Sequence, residues 1–346
     1  MKARTKEIIR DGFGSLISNA SALRGAKAGP LWLTIVMFFL AVLLPIIPLF
    51  VSQANTNGST FLNNYSYNLD KNVTLMAMEL KNNRNVEFEI DSDHLLTIRE
   101  NDQVVDYSLY GYVNPFAGRI NERTNQFELL LFISDATTDA NKATVVDLIS
   151  KKVYGYNTTH EVAAEDGLYH PSYIVLFKNG IYVSVYSDNS LTQLTASYNG
   201  DFKTINPNNK CLETLLKVDG VAQDPYNSKY VIGVYANFKK LLDKSYDTLK
   251  IRNMWVTSAI YFGIFFGASF LMGLIMFLLT RGKNNPNNYF SLWLCLKIQG
   301  RLSFCPGLLA MIAGWFLTSQ IPLIMIMLLG LRVMWISMKE LRPIAQ

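Results

Sequence analysis

Apolar residues along this chain are concentrated in four blocks, one near the N-terminus and three near the C-terminus. The first block, residues 31–51 (LWLTIVMFFLAVLLPIIPLFV), carries no charge. As a helix rising about 1.5 Å per residue it is roughly 30 Å long, which is the thickness of a bilayer's hydrocarbon core. The other blocks are residues 254–280, 302–318 and 321–338. The pattern predicts a membrane protein with four transmembrane α-helices.

The first block has an alternative interpretation as a cleaved signal peptide, because Ser52 and Ala54 loosely fit a cleavage site of small residues. A leader of 30 residues before it and an apolar core of 21 residues are both long for a signal peptide. We therefore interpret residues 31–51 as a membrane anchor.

Residues 52–253 have the alternating and periodic patterns of a folded α+β domain. Strands are predicted at 86–91, where apolar and acidic residues alternate, at 126–134, at 172–188 with an Asn-Gly turn at Asn179, and at 229–236. Helices are predicted near 72–82 and 210–217. A further helical repeat starts at Tyr235 and predicts one continuous helix from about 235 to 280.

Charge separates this central segment from the rest of the chain. The whole chain has a net charge of +5, but residues 52–253 hold 19 Lys and Arg against 24 Asp and Glu. The excess of positive charge lies in short flanks of the apolar blocks, so no nucleic-acid partner is predicted. The flanking residues are Lys2, Arg4, Lys6, Arg10, Arg24, Lys27, Arg281, Lys283, Lys297, Arg301, Lys339 and Arg342.

Basic flanks of short loops stay in the cytoplasm. Both termini are therefore expected inside, and the central domain outside the plasma membrane. The predicted order is a basic amphipathic segment (1–30), the first span (31–51), the extracytoplasmic α+β domain (52–253), the second span (254–280), a basic amphipathic cytoplasmic loop (281–301), the third span (302–318), the fourth span (321–338) and a cytoplasmic tail (339–346). Residues 289–301 either lie at the inner surface or extend the third helix.

Four stretches resemble a bacterial membrane family in content and layout: LLFISDATTD, YIVLFKNGIYVSV, LWLCLKIQGRLSFCPGLLAMIAGWF and GLRVMWISMKELRP. That family has no established function and is labelled maltodextrin-utilisation protein (MalA-type). The resemblance implies a link to carbohydrate uptake. It implies no chemistry and no site residues.

Arg332 is the one ionisable residue of the usual functional kinds inside the four predicted spans. An arginine in hydrocarbon is costly, so it either reaches the inner headgroups along its stem or binds a lipid phosphate or a partner helix.

Small residues recur every three or four positions on two predicted spans and allow close helix packing. They are Ala259, Gly263 and Gly267 on the second, and Gly307, Ala310 and Gly314 on the third. Packing within the bundle is the first interpretation, and homo-oligomerisation through one face is the second.

Enzyme signatures are missing from the sequence. It has no H-E-x-x-H, G-x-S-x-G or P-loop, and the SDN at 187–189 lacks an accompanying Ser-x-x-Lys. His94, His160 and His170 are scattered, and EIDSDH at 89–94 lacks the Gly and Glu of a calcium loop.

We expect a non-enzymatic protein without cofactor or metal. It would bind or sense a ligand, or support another membrane complex, with lipids and a membrane protein as partners. The alternative is an accessory or permease-type subunit of a sugar transporter.

Overall fold

The computed structural model describes residues 10, 14–15, 17–64, 68–107, 114–120, 127–156, 171–185, 196–281 and 285–341. The chain divides into two compact units. Residues 56–250 form one, which we call the central unit. Residues 1–55 and 251–346 form the other, the terminal unit.

Among the described residues, three helical stretches are long and apolar enough to cross a bilayer: Leu31–Asn55, Ser228–Leu279 and Thr318–Lys339. They correspond to the first, second and fourth predicted spans and are compatible with a multi-pass membrane protein. The helices involved are α2 (Leu31–Leu43), α3 (Ile46–Asn55), α7 (Ser228–Leu279) and α10 (Ile321–Lys339).

Pro45 explains why the first stretch consists of two helices. Proline has no N–H to donate to the carbonyl four residues earlier, so a helix breaks or bends there. Helix α2 ends at Leu43 and α3 starts at Ile46, with a turn at residues 44–45.

The third predicted span differs from expectation. Residues 292–314 form two short helices, α8 (Leu292–Leu302) and α9 (Phe304–Gly314), separated by a turn at Ser303. Each contains 11 residues. At about 1.5 Å per residue, neither is long enough to cross the hydrocarbon core alone. Helix α8 covers the residues for which the sequence left open an extension of the third helix, and the turn at Ser303 separates it from α9.

A helix precedes the first span. Helix α1 (Asn19–Ala28) is capped by Ser18, whose side chain accepts a hydrogen bond from the Ser21 backbone N–H. It lies within the predicted basic amphipathic segment 1–30 and ends before Gly29 and Pro30. Residues 1–9, 11–13 and 16 of that segment lie outside the described residues.

The described part of the central unit contains two sheets. The first has the strand order β3-β2-β1-β9, with antiparallel pairs only. The second has the order β4-β5-β6-β7-β8, in which β5 and β6 are parallel and the other pairs are antiparallel. The strands are β1 (Val86–Ile90), β2 (Leu96–Glu100), β3 (Gln103–Val104), β4 (Ala117–Ile120), β5 (Phe127–Ser134), β6 (Ser172–Phe177), β7 (Gly180–Val185), β8 (Ala196–Asp201) and β9 (Asn209–Lys210).

The predicted strands β1, β5 and the hairpin β6–β7 are confirmed, with the hairpin turn at Lys178 and Asn179. The predicted helices correspond to α4 (Leu69–Met78), which continues into a π-helical turn (Glu79–Asn83), and to α6 (Cys211–Leu216).

The strand predicted at 229–236 is wrong, because these residues form the beginning of α7. Their β-branched run is typical of a strand. However, Tyr230, Val234 and Phe238 fall on one helical face and are all buried in the core. Asn227 accepts a hydrogen bond from the Lys229 backbone N–H at 3.0 Å and caps the helix start. Helix continuity from 235 to 279 is confirmed.

The second sheet is buried on both faces at its centre. On one face, alternate residues of β5, β6 and β7 join the main core together with α4, α6 and the start of α7. On the other face, Phe132, Tyr173 and Phe177 pack beneath α5 (Asp139–Tyr156), which connects the parallel strands β5 and β6. The sequence patterns did not predict α5.

Candidate functional site

A groove lies beside helix α5 on the second sheet. Helix α5 begins just after β5 ends, and Thr138 Oγ1 accepts a hydrogen bond of 3.3 Å from the Asn141 backbone N–H at its start. Val145, Ile149 and Val153, four residues apart, are buried against the sheet. This spacing and the capping threonine were the sequence signals that could have revealed α5.

The sheet face next to α5 changes from apolar to polar between β6 and β7. Tyr173 and Phe177 on β6 are buried under the helix. On the same face of β7, Ser184 pairs with Tyr173 and is buried, and Tyr182 pairs with Val175 and is half-buried. Tyr182 pairs with the exposed Asn199 on β8. These strands and one side of α5 enclose a groove of about 560 Å³, lined by Asp139, Lys142, Ala143, Val146, Asp147, Ser150, Tyr173, Phe177, Tyr182, Ser184 and Asn199.

Lys142, in the first turn of α5, is the most unusual residue of this groove. Only 7% of its surface is exposed. Its Nζ lies 5.5 Å from the centre of the Phe177 ring, a cation–π contact. Among the described residues, no oxygen accepts a hydrogen bond from this ammonium and no carboxylate lies within 4.0 Å of it. Lysine is seldom this buried without an anionic partner.

Burial has the largest effect on the pKa of Lys142. It lowers the pKa of Lys142 below its ordinary value, because desolvation disfavours the charged form. The charges of Asp139 and Asp201 raise the pKa again in part, and that of Lys203 lowers it. Asp147, also on the groove, is paired with Lys151 one turn along α5. The groove can therefore offer one desolvated cation together with hydroxyl and amide groups.

In the terminal unit, Arg332 is bound by the protein itself. Its Nη1 donates a hydrogen bond of 3.0 Å to the Leu302 carbonyl, and its Nε donates one of 3.3 Å to Asn19 Oδ1. Its Nη2 donates to the Ser15 carbonyl. Arg332 thus connects α10 to the α8–α9 turn and to the start of α1. Binding of a lipid phosphate or a partner helix by Arg332 stays a prediction.

Arg301 was predicted to lie in a cytoplasmic loop, but it is the largest fully buried side chain of the described residues, with 1% of its surface exposed. Its Nε donates a hydrogen bond of 2.9 Å to Thr34 Oγ1 on α2. Gly25 and Gly29 on and after α1 lie against its guanidinium, so closely that a Cβ at either position would collide with it. The sequence signal for this contact was Gly25-x-x-x-Gly29, which places two glycines on one helical face.

Further buried polar groups lie near the α8–α9 turn. Gln299 Nε2 donates to Ser303 Oγ at 3.1 Å, and Ser303 Oγ donates to the Gln299 carbonyl at 2.8 Å. Ser303 Oγ also lies 3.5 Å from Ser269 Oγ on α7. The other side-chain atom of Gln299, Oε1, has no hydrogen-bond partner among the described residues. This cluster joins α7 and α8 by polar contacts.

The two faces of small residues have different surroundings. Gly307 lies against the backbone of Ala41, Ala310 is fully buried, and Gly314 lies against Ile321. On α7, a Cβ added at Gly263 or Gly267 would meet no other described atom within 4 Å. Ala259 on the same face is exposed.

The remaining predicted candidates do not form a site in the described part of the chain. Asp91 accepts hydrogen bonds from the backbone N–H groups of Asp93 and Leu95 and so closes the turn between β1 and β2. His94 lies in the same turn, and its Nδ1 has no hydrogen-bond partner among the described residues. Within the described ranges, no three His, Cys, Asp or Glu side chains lie together as metal ligands would. His160, His170 and the SDN at 187–189 lie outside these ranges.

Comparisons with protein-family models, with curated proteins and with solved structures found no match to this chain. The resemblance to the maltodextrin-utilisation family therefore stays an expectation from the sequence.

Proposed function

We propose that this chain is a non-enzymatic integral membrane protein whose central unit lies outside the cell and binds a small ligand in the groove beside α5. The observation that carries the proposal is the change from apolar to polar side chains on one sheet face, at Tyr182 and Ser184, next to a cavity of about 560 Å³. Small-ligand sites are concave and combine apolar walls with a few polar groups, and cavities of this volume are typical of them.

The position of the groove supports the same function. In sheets with parallel strands, ligands commonly bind near the carboxyl ends of the strands and the start of the connecting helix. Lys142 belongs to the first turn of α5, and Phe177 is the last residue of β6. The groove thus lies at the βαβ unit formed by β5, α5 and β6, in a sheet whose other pairs are antiparallel.

A thermal-shift screen of small metabolites on the purified full-length protein tests this proposal. Compounds that raise the melting temperature are then measured with Ala143→Trp, which fills the groove from α5. Leu148→Trp, on an exposed part of the same helix outside the groove, is the matched control. Stabilisation that is lost in Ala143→Trp and kept in Leu148→Trp supports the proposal. Stabilisation by no compound, or equal stabilisation of both variants, contradicts it.

A second candidate function is the support of another membrane complex through α7. The observation that favours it is the face of Ala259, Gly263 and Gly267, which no other described helix covers. Small residues let helix backbones approach closely in a bilayer. The test is purification in mild detergent: Gly263→Leu should reduce the yield of a co-purifying membrane protein, whereas Ile260→Leu, on another exposed side of α7, should not. A permease or sugar-transport role is proposed from the family resemblance alone.

A further inference from the structure

We infer that the groove beside α5 binds its ligand through an anionic group, a phosphate or a carboxylate, held by the ammonium of Lys142. The inference rests on the proposed ligand-binding function and adds the chemical class of the ligand. The inference starts from Lys142, which lines the groove and is 7% exposed. Among the described residues, no oxygen accepts a hydrogen bond from its ammonium.

A buried charge needs compensation, because desolvation is unfavourable unless hydrogen bonds or an opposite charge replace the lost water. The Phe177 ring at 5.5 Å provides a part of that compensation. It leaves the hydrogen-bonding capacity of the ammonium unused. An oxyanion in the groove would accept hydrogen bonds from Lys142 and balance its charge.

The nearby carboxylates do not supply this oxyanion. Asp201 accepts a hydrogen bond of 3.1 Å from the Lys203 backbone N–H, and Asp147 is paired with Lys151. Asp139 and Asp201 favour the protonated form of Lys142, although neither comes within ion-pair distance of its Nζ. They offset part of the effect of burial on the pKa of Lys142 and leave its hydrogen bonds to a ligand.

The start of α5 adds to the preference for an anion. Backbone dipoles give the first turn of a helix a partial positive charge, and α5 has 18 residues. Lys142 lies in this turn. The rest of the ligand would meet the Tyr182 ring, the Ser184 hydroxyl and the Asn199 amide, which also line the groove. These groups can contact the polar body of a small anion that Lys142 holds.

The test uses the reactivity of Lys142 in the full-length protein in detergent. The chain is acylated by an amine reagent at limiting concentration, and modification of each lysine is measured by peptide mass spectrometry. Parallel samples contain sodium phosphate, sodium acetate or sodium chloride at equal ionic strength. Lys151 and Lys152, both exposed on α5, are internal controls.

Phosphate or acetate should slow the acylation of Lys142 by about threefold at a concentration near twice the Kd, without slowing that of Lys151 and Lys152. Protection by phosphate indicates a phosphate-bearing ligand, and protection by acetate a carboxylate. Equal rates in all three salts overturn the inference. So does a Lys142 that reacts only after denaturation, because the ammonium would then be sealed from the groove.

Lys142→Gln gives a second measurement. Phosphate or acetate should raise the melting temperature of the natural protein and of Lys151→Gln but not that of Lys142→Gln. If Lys142→Gln does not fold, the acylation of the natural chain decides alone.

The two proposals fail separately. A neutral groove ligand that is lost in Ala143→Trp and still bound by Lys142→Gln would support the binding function and overturn the anionic class. Anion protection of Lys142, without any metabolite that stabilises the protein through the groove, would support the anion site and contradict the wider function.

Discussion

The guanidinium of Arg332 donates a hydrogen bond of 3.0 Å to the carbonyl oxygen of Leu302. In a regular helix, that carbonyl would accept from the N–H of residue 306, but Pro306 has none. Leu302 is fully buried, and a buried carbonyl without a hydrogen-bond donor is costly. Arg332 therefore replaces the donor that the proline removes, and it does so from a separate helix.

The first prediction tests this replacement by a double-mutant cycle. Arg332→Met should lower stability in detergent by about 1–3 kcal/mol, the cost of a buried carbonyl without a donor. Pro306→Ala restores a backbone N–H at residue 306 that can donate to the Leu302 carbonyl. Arg332→Met should therefore lower stability less in the Pro306→Ala background than in the natural protein. Melting temperatures and denaturant midpoints of all four proteins measure the coupling. Additive effects of the two substitutions would show that Arg332 does not act through the Leu302 carbonyl.

The second prediction concerns the glycines around Arg301. Gly25→Ala should destabilise the protein or reduce its yield, because the new methyl group collides with the buried guanidinium. Gly263→Ala is the matched control, since an added Cβ there meets nothing within 4 Å. It should leave stability unchanged or raise it by up to about 1 kcal/mol through helix propensity. Thermal unfolding of both variants in detergent is the measurement. Equal melting temperatures would contradict the collision.

The third prediction concerns Cys211, the one cysteine of the central unit. Burial and the nearby charge of Glu87 raise the pKa of its thiol to about 12, so very little thiolate is present at pH 8. In a chain without Cys295 and Cys305, iodoacetamide should alkylate Cys211 about a thousandfold more slowly than a thiol of ordinary pKa near 9. The rate should rise as the pH approaches 12. A cysteine placed at the exposed Asp219 is the control. Comparable rates at the two positions at pH 8 would be inconsistent with the raised pKa of the Cys211 thiol.

The fourth prediction concerns topology. In intact cells, a maleimide that cannot cross the membrane should label Asp219→Cys and not Asn288→Cys, because the basic flanks keep the segment around residue 288 inside. Both positions are exposed. After the cells are opened, both should react. Labelling of Asn288→Cys from outside would reverse the proposed orientation.

Much of the architecture was predictable because its causes are local. A run of more than 20 uncharged residues such as 254–280 satisfies its backbone in a bilayer only as a helix. The alternation of Val86, Phe88 and Ile90 fits a strand with one buried face. Asn179 and Gly180 fit the turn between β6 and β7. Each of these patterns lies within a few turns of helix or one strand.

The candidate sites were less predictable. The sequence singled out Arg332, but its acceptors at Leu302 and Ser15 come from distant parts of the chain. Arg301 looked like an ordinary basic flank, and nothing in its neighbourhood indicated the glycines 272 and 276 residues earlier. Lys142 was missed altogether, because a single lysine in a moderately polar stretch carries no sign of burial.

Local patterns in the chain were enough to predict the apolar helices of membrane length, the α+β character of the central segment, and its short-range turns and strands. Contacts made in the folded chain were needed to show that residues 229–236 form a helix, that Arg301 is buried between α1 and α2, and that Lys142 lies in a groove beside Phe177. The difference follows from the range of the interactions. Local propensities are weak, whereas burial and hydrogen-bond satisfaction depend on residues that meet only when the chain has folded.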